Sequence, residues 1–74
     1  MKREYAIDLV WDAEAAVWIA TSDDVPGLAL ESGSLDALTE RLRSAVPELL
    51  ALNGLDTKES SMHIRAERRE LALI

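Results

Sequence analysis

The chain has 74 residues and a mass of 8.2 kDa, enough for one domain and too little for two. Its 49% apolar content excludes an intrinsically disordered chain. No apolar run approaches the roughly 18 residues of a membrane span, and Met1-Lys2-Arg3-Glu4 leads into no signal-peptide hydrophobic stretch, so a cytoplasmic protein without membrane contact is expected. A net charge of −6 argues against direct binding to nucleic acid, whose phosphates demand the opposite sign.

That charge is unevenly spread. Residues 1–57 carry four basic and eleven acidic side chains, net −7, whereas residues 58–74 carry four and three, net +1. An acidic body attracts a basic partner such as a small RNA-binding protein, and equally keeps a small protein soluble. A domain of this size buries only about 60–65% of its unfolded surface. With no cysteine to cross-link it, self-association, with a homodimer as the expected state, is a route to further burial.

Arg3 to Trp11 alternates: Tyr5, Ile7, Leu9 and Trp11 share one face and Glu4, Ala6, Asp8 and Val10 the other, the pattern of a half-buried strand. Ala16 to Ser22 is β-branched and aromatic and reads as a second strand, joined to the first by a hairpin connection, Asp12 to Ala15. In Asp23-Asp24-Val25-Pro26-Gly27, Pro then Gly suit the central positions of a type II turn. Leu28 to Glu31 reads as a short third strand, stopped by Ser32-Gly33. Ser34 is a good N-cap and Asp36 sits in the first turn of the helix that follows. Leu35, Leu38, Leu42, Ala45, Leu49 and Leu52 form its apolar stripe. Pro47 forfeits the bond to the Arg43 carbonyl, predicting a kink or a restart capped by Ser44. Gly54 suits the left-handed position after the helix, with Leu55 folding back on Leu50. Residues 56–61 read as a polar loop. In a fourth strand Met62, Ile64 and Ala66 alternate with outward His63, Arg65 and Glu67. The order β-β-β-α-β predicts a two-layer α+β domain, a largely antiparallel sheet with one kinked helix on one face.

The hairpin loop decides which residues of the second strand face the helix. Two- and three-residue loops want Gly or Asn at positive φ, and neither residue is present, so a four-residue loop from Asp12 to Ala15 is expected. It pairs Trp11 with Ala16 and Leu9 with Trp18, and places Trp18 and Ala20 toward the helix, with small Ala16 and Ala20 letting it approach. The opposite face then carries Ala6, Asp8, Val10, Val17, Ile19 and Thr21, and no second helix is available to cover it. Its apolar stripe, Val10, Val17 and Ile19, is a candidate partner or dimer surface. A one-residue slip would exchange the two faces.

Little in the sequence points to catalysis. His63, the sole histidine, falls on the outer face of its strand without an evident nucleophile or carboxylate partner. Asp8, Asp12, Asp23, Asp24 and Glu31 could converge on a magnesium ion, but Asp23 and Asp24 read as turn formers. There is no phosphate-binding glycine loop, nucleophile elbow or Cys/His metal spacing, so neither an enzyme nor a cofactor is expected. Arg65, Arg68 and Arg69, interspersed with Glu67 and Glu70, suit the defence of a sheet edge. Leu71 to Ile74 at the C-terminus suggest docking on the core or exchange between protomers.

Tyr5 to Asp12, Val17-Trp18-Ile19-Ala20, Asp24-Val25-Pro26-Gly27-Leu28 and Ser34-Leu35-Asp36-Ala37-Leu38 together resemble the HicB antitoxin domain, and most closely its short bacterial relatives without a DNA-binding domain. The resemblance covers residues 3–55 well and the last strand loosely. It implies a βββαβ layer described as a degraded ribonuclease H fold. It also implies a protein that self-associates and neutralises HicA, a small basic RNase toxin with a double-stranded-RNA-binding fold, by covering its surface. On that reading the acidic sheet face binds the toxin, through Asp8, Val10, Val17, Ile19, Thr21 and Asp24. The alternative is a toxin-free homo-oligomeric interaction module. Two features depart from the family. Full-length HicB proteins continue into a DNA-binding domain that these 74 residues do not contain, so no direct DNA binding is expected. Leu38-Thr39-Glu40 stands where many antitoxins carry Glu-Ala, and Pro47 marks the short branch.

Overall fold

The alternation that opens the chain becomes a ten-residue strand, β1 (Arg3–Asp12), in which Tyr5, Ile7 and Leu9 are buried and the residues between them are not. The computed structural model describes residues 3–55 and 57–73. After β1 come β2 (Val17–Thr21), β3 (Leu30–Ser32), the helix α1 (Leu35–Leu52) and β4 (Ser60–Glu67). They form one open sheet in the order β3-β2-β1-β4 with α1 on one face, a two-layer α+β fold.

Pairing in the sheet is mixed. β2 is antiparallel to both β1 and β3, whereas β4 runs parallel to β1. This follows from the connection: α1 carries the chain back along the sheet, so β4 starts in the direction of β3, which already runs with β1. Eighteen helical residues span about 27 Å, enough to traverse the sheet from the β3 edge to the β4 edge.

The hairpin register differs from expectation by two residues. Asp12 pairs with Val17 and Trp11 with Trp18, so the four-residue connection is 13–16. Ala16 is therefore an exposed turn residue at φ 55 and not a spacer beneath the helix. The Asp12 carboxylate holds the turn, accepting the Glu14 N–H at 3.0 Å and the Ala15 N–H at 3.3 Å. Because side chains alternate with period two, a two-residue shift leaves each residue on its expected face. Trp18 and Ala20 are buried under the helix as the alternation requires, and Trp11 meets Trp18 edge-on with centroids 5.5 Å apart.

The third strand also starts two residues later than read. Leu28 is buried in the approach to it, after a turn in which its N–H donates to the Val25 carbonyl at 3.3 Å around Pro26 and Gly27. Gly27 has φ 85, as the third position of a type II turn requires. Likewise β4 starts at Ser60, shortening the predicted loop, of which Asp56 lies outside the described residues.

The helix termini follow the sequence. The Ser34 hydroxyl accepts the Ala37 N–H at 3.1 Å. At the other end Gly54 has φ 70, its N–H donates to Ala51 and the Leu55 N–H to Leu50, the paired bonds of a Schellman motif. The buried stripe is Leu38, Leu42, Val46 and Leu50, flanked by Leu35, Ala45 and Leu49. Leu52, expected within it, is 82% exposed. Steps of four from Leu42 hold one face toward the sheet, and Leu52 is a half-turn from Leu50. Helix α1 is a single helix through Pro47, with no restart at Ser44. Arg43 and Pro47 are both exposed, so water can take the freed Arg43 carbonyl.

Candidate functional site

The face of the sheet turned away from α1 is covered by no described element. Registers fix its layout. One row across the sheet runs Glu67, Val10, Ile19, Glu31, and the next runs Arg65, Asp8, Thr21. A third places His63 beside Ala6, and at the hairpin end Asp12 lies beside Val17. Val10, Val17 and Ile19 are contiguous. Val10, the most open of them, is 52% exposed although it occupies a central strand, while Val17 and Ile19 are half-buried by their neighbours. A shallow depression beside this patch is lined by Asp8, Val10, Thr21, Arg65 and Glu67.

Charges on this face are paired across strands. The Arg65 guanidinium donates to the Asp8 carboxylate at 2.9 Å. His63 Nδ1 lies 3.1 Å from Glu4, and along the chain rather than across strands Arg69, just past β4, donates to Glu67 at 3.1 Å. All of these partners are substantially exposed, so each pair contributes at most about 1 kcal/mol. Together they set the apolar centre within a rim of alternating sign. The basic side chains of β4 thus moderate the acidity expected of this surface. That feature was not legible in the sequence because Arg65 meets Asp8 only once β4 is placed parallel to β1.

Of the six residues singled out from the sequence, Asp8, Val10, Val17, Ile19 and Thr21 come together on this face. Asp24 does not join them. It lies near the start of β1, beside Arg3, Glu4 and Leu55, where its carboxylate accepts the Ala6 N–H at 2.8 Å. The Ser22 hydroxyl donates to the Ala6 carbonyl at 2.5 Å and accepts the N–H groups of Asp24 and Val25 at 3.0 and 3.2 Å. Backbone pairing with β2 stops at Asp8, and these two side chains continue the hydrogen bonding to β1 for one more residue.

The carboxylates considered for magnesium are apart for the same reasons. Asp12 serves the hairpin turn, Asp8 its arginine and Asp24 the Ala6 amide. Among the described residues no group of three or more His, Cys, Asp or Glu side chains is placed to hold a metal ion, and no helix is long and apolar enough to cross a membrane.

A family model described as a domain of unknown function, DUF1902, matches residues 4–74. The chain belongs to this family. A DUF1902 chain of this sequence is also similar to a solved structure, that of hypothetical protein TTHA1013 from the extremely thermophilic bacterium Thermus thermophilus. The two are 42% identical over 97% of this chain and 100% of the other, with a TM-score of 0.74. No curated protein matches. Family and neighbour therefore support the DUF1902 fold and carry no activity with them.

Proposed function

We propose that this DUF1902 protein is a non-enzymatic, HicB-like antitoxin-type binding domain that occludes a small basic RNase through its outer sheet face. The observation that carries this reading is the uncovered Val10, Val17 and Ile19 patch on central strands. Apolar side chains on a broad open face suit contact with another protein better than capture of a small molecule, which calls for a concave pocket. The net charge of −6 would steer a basic partner to the molecule from a distance. At close range the apolar patch would supply the contact and the paired rim its orientation. The resemblance to HicB domains supplies the class of partner, a basic RNase whose RNA-binding surface is masked by the complex.

The test is to ask whether a small basic protein is encoded beside this one and, with that protein purified, to follow RNA cleavage as the domain is added; a neighbourhood that encodes none would count against the reading. Inhibition that saturates at a fixed stoichiometry is expected, and Val10→Asp should weaken it at least tenfold while the circular dichroism spectrum stays unchanged. An RNase that keeps full activity with excess domain present would refute the reading. A second reading, a homo-oligomeric module without a toxin, is favoured by one observation: Leu71 and Leu73 are 85% and 87% exposed.

A further inference from the structure

Beyond β4 the chain runs on through residues 68–73 without joining the sheet. Arg68 fixes its point of departure, its guanidinium 3.9 Å from the centroid of the Trp11 ring and paired with Glu70. Past that anchor the segment Leu71-Ala72-Leu73 is fully open to water; Ile74 lies outside the described residues. In an extended chain Leu71 and Leu73 point to the same side, and by the alternation that sets Glu67 beside Val10 it is the side of the outer sheet face.

One molecule thus holds an apolar arm and an apolar patch that cannot reach each other. With Glu67 level with Val10, an extended arm would set Leu71 and Leu73 about 13 and 20 Å past that row. The arm, Arg68-Arg69-Glu70-Leu71-Ala72-Leu73, has no glycine or proline to turn it back. Surface area points the same way. The chain exposes 5460 Å², against about 4,500 Å² for a compact monomer of its mass. The excess, roughly 900 Å², is close to the ~800 Å² that each partner buries in a standard interface. Its radius of gyration is 13.7 Å with a long axis of 50 Å, where a compact chain of this length has about 11 Å. Charge is complementary too, since Arg68, Arg69 and Glu70 give the arm net +1 against net −7 for residues 1–57.

We infer that the arm of one protomer lies across the outer sheet face of a second copy, with Leu71 and Leu73 on Val10, Val17 and Ile19, and that two arms are exchanged about a two-fold axis. Reciprocal exchange closes the assembly at a dimer, because each copy has one arm and one patch. The inference rests on the outer face being a protein-binding surface, as proposed above, but it is read in the isolated protein. Arm and RNase would compete for the same patch. Leu71→Asp with Leu73→Asp leaves the patch intact, so it should break the dimer while RNase inhibition is kept or strengthened. Absence of an RNase partner would leave the dimer mass untouched.

The experiment is light scattering with sedimentation equilibrium on the full chain, on Leu71→Asp with Leu73→Asp, and on Val10→Asp. These three positions are exposed, so each variant should keep the wild-type circular dichroism spectrum. The wild type should show twice the 8.2 kDa chain mass, and either variant should raise the dimer dissociation constant at least tenfold. As the chain has no cysteine, Val10→Cys and Leu73→Cys proteins mixed under oxidation should cross-link to each other. A wild type that is monomeric at about 100 µM would overturn the inference. So would a dimer indifferent to both variants, or a Val10→Cys/Leu73→Cys chain that closes its disulfide within one molecule.

Discussion

Asp24 offers the sharpest separation of a structural role from a binding one. Its carboxylate takes the Ala6 amide at 2.8 Å where the β1–β2 ladder has ended, and Ser22 takes the Ala6 carbonyl. A hydrogen bond to a charged group contributes about 1.5–3 kcal/mol when shielded. Asp24 is exposed, so water replaces part of that bond, and Asp24→Ala is expected to cost about 1–1.5 kcal/mol. Ser22 is half-buried and makes three bonds at once, so Ser22→Ala should cost somewhat more, about 1.5–3 kcal/mol. The two residues share Ala6, and the double variant should fall short of the sum. Asp24→Asn keeps an acceptor oxygen and should retain more than half of the stability that Asp24→Ala loses. The assay is urea unfolding followed by tryptophan fluorescence, in which about 1 kcal/mol moves the midpoint by about 1 M for a small domain. Folded Asp24→Asn should bind a basic partner within about twofold of the wild type. An Asp24→Ala midpoint unchanged within error, or a large loss of association in Asp24→Asn at full stability, would refute the assignment.

Other substitutions test the remaining fold. Leu42 is fully buried at the helix–sheet contact, so Leu42→Ala should cost about 2–5 kcal/mol, a large part of the roughly 4–11 kcal/mol expected for a chain of this length; chemical denaturation measures the loss. Gly54 and Ala16 should respond in opposite directions. Gly54 has φ 70 with open space where a Cβ would stand, so Gly54→Ala should lower stability by about 1 kcal/mol through backbone strain alone. Ala16 already bears that strain at φ 55, so Ala16→Gly should raise the thermal midpoint by a few degrees. Since α1 runs unbroken through Pro47, Pro47→Ala should restore the bond to the Arg43 carbonyl and stabilise by about 1–3 kcal/mol; a lower midpoint would show that the proline is needed.

Much of the candidate site was legible because strand alternation is local information. Tyr5, Ile7 and Leu9 assign the inner face of β1, and by elimination Asp8 and Val10 the outer one. Trp18 and Ala20 do the same for β2, leaving Val17, Ile19 and Thr21 outside. The register between the strands was not legible. Shifting a pair by two residues preserves every face, so the pattern is equally consistent with a loop ending at Ala15 or at Ala16. Only the Asp12 turn and the fit of Trp11 against Trp18 separate them. The helix stripe shows a similar limit, since leucine occupies both Leu50 and Leu52 and only the sheet determines which faces inward.

By itself the sequence determined the features made by neighbours along the chain. These are the strand faces, the Ser34 cap, the Pro26-Gly27 turn and the Gly54 ending of α1, each set by bonds spanning a few residues. Tertiary structure decided the features that join distant residues: β4 parallel to β1, Arg65 opposite Asp8, Asp24 completing the Ala6 hydrogen bonds and Arg68 over Trp11. Those contacts depend on which strands become neighbours and in what register, and that choice is made by packing the whole sheet against one helix.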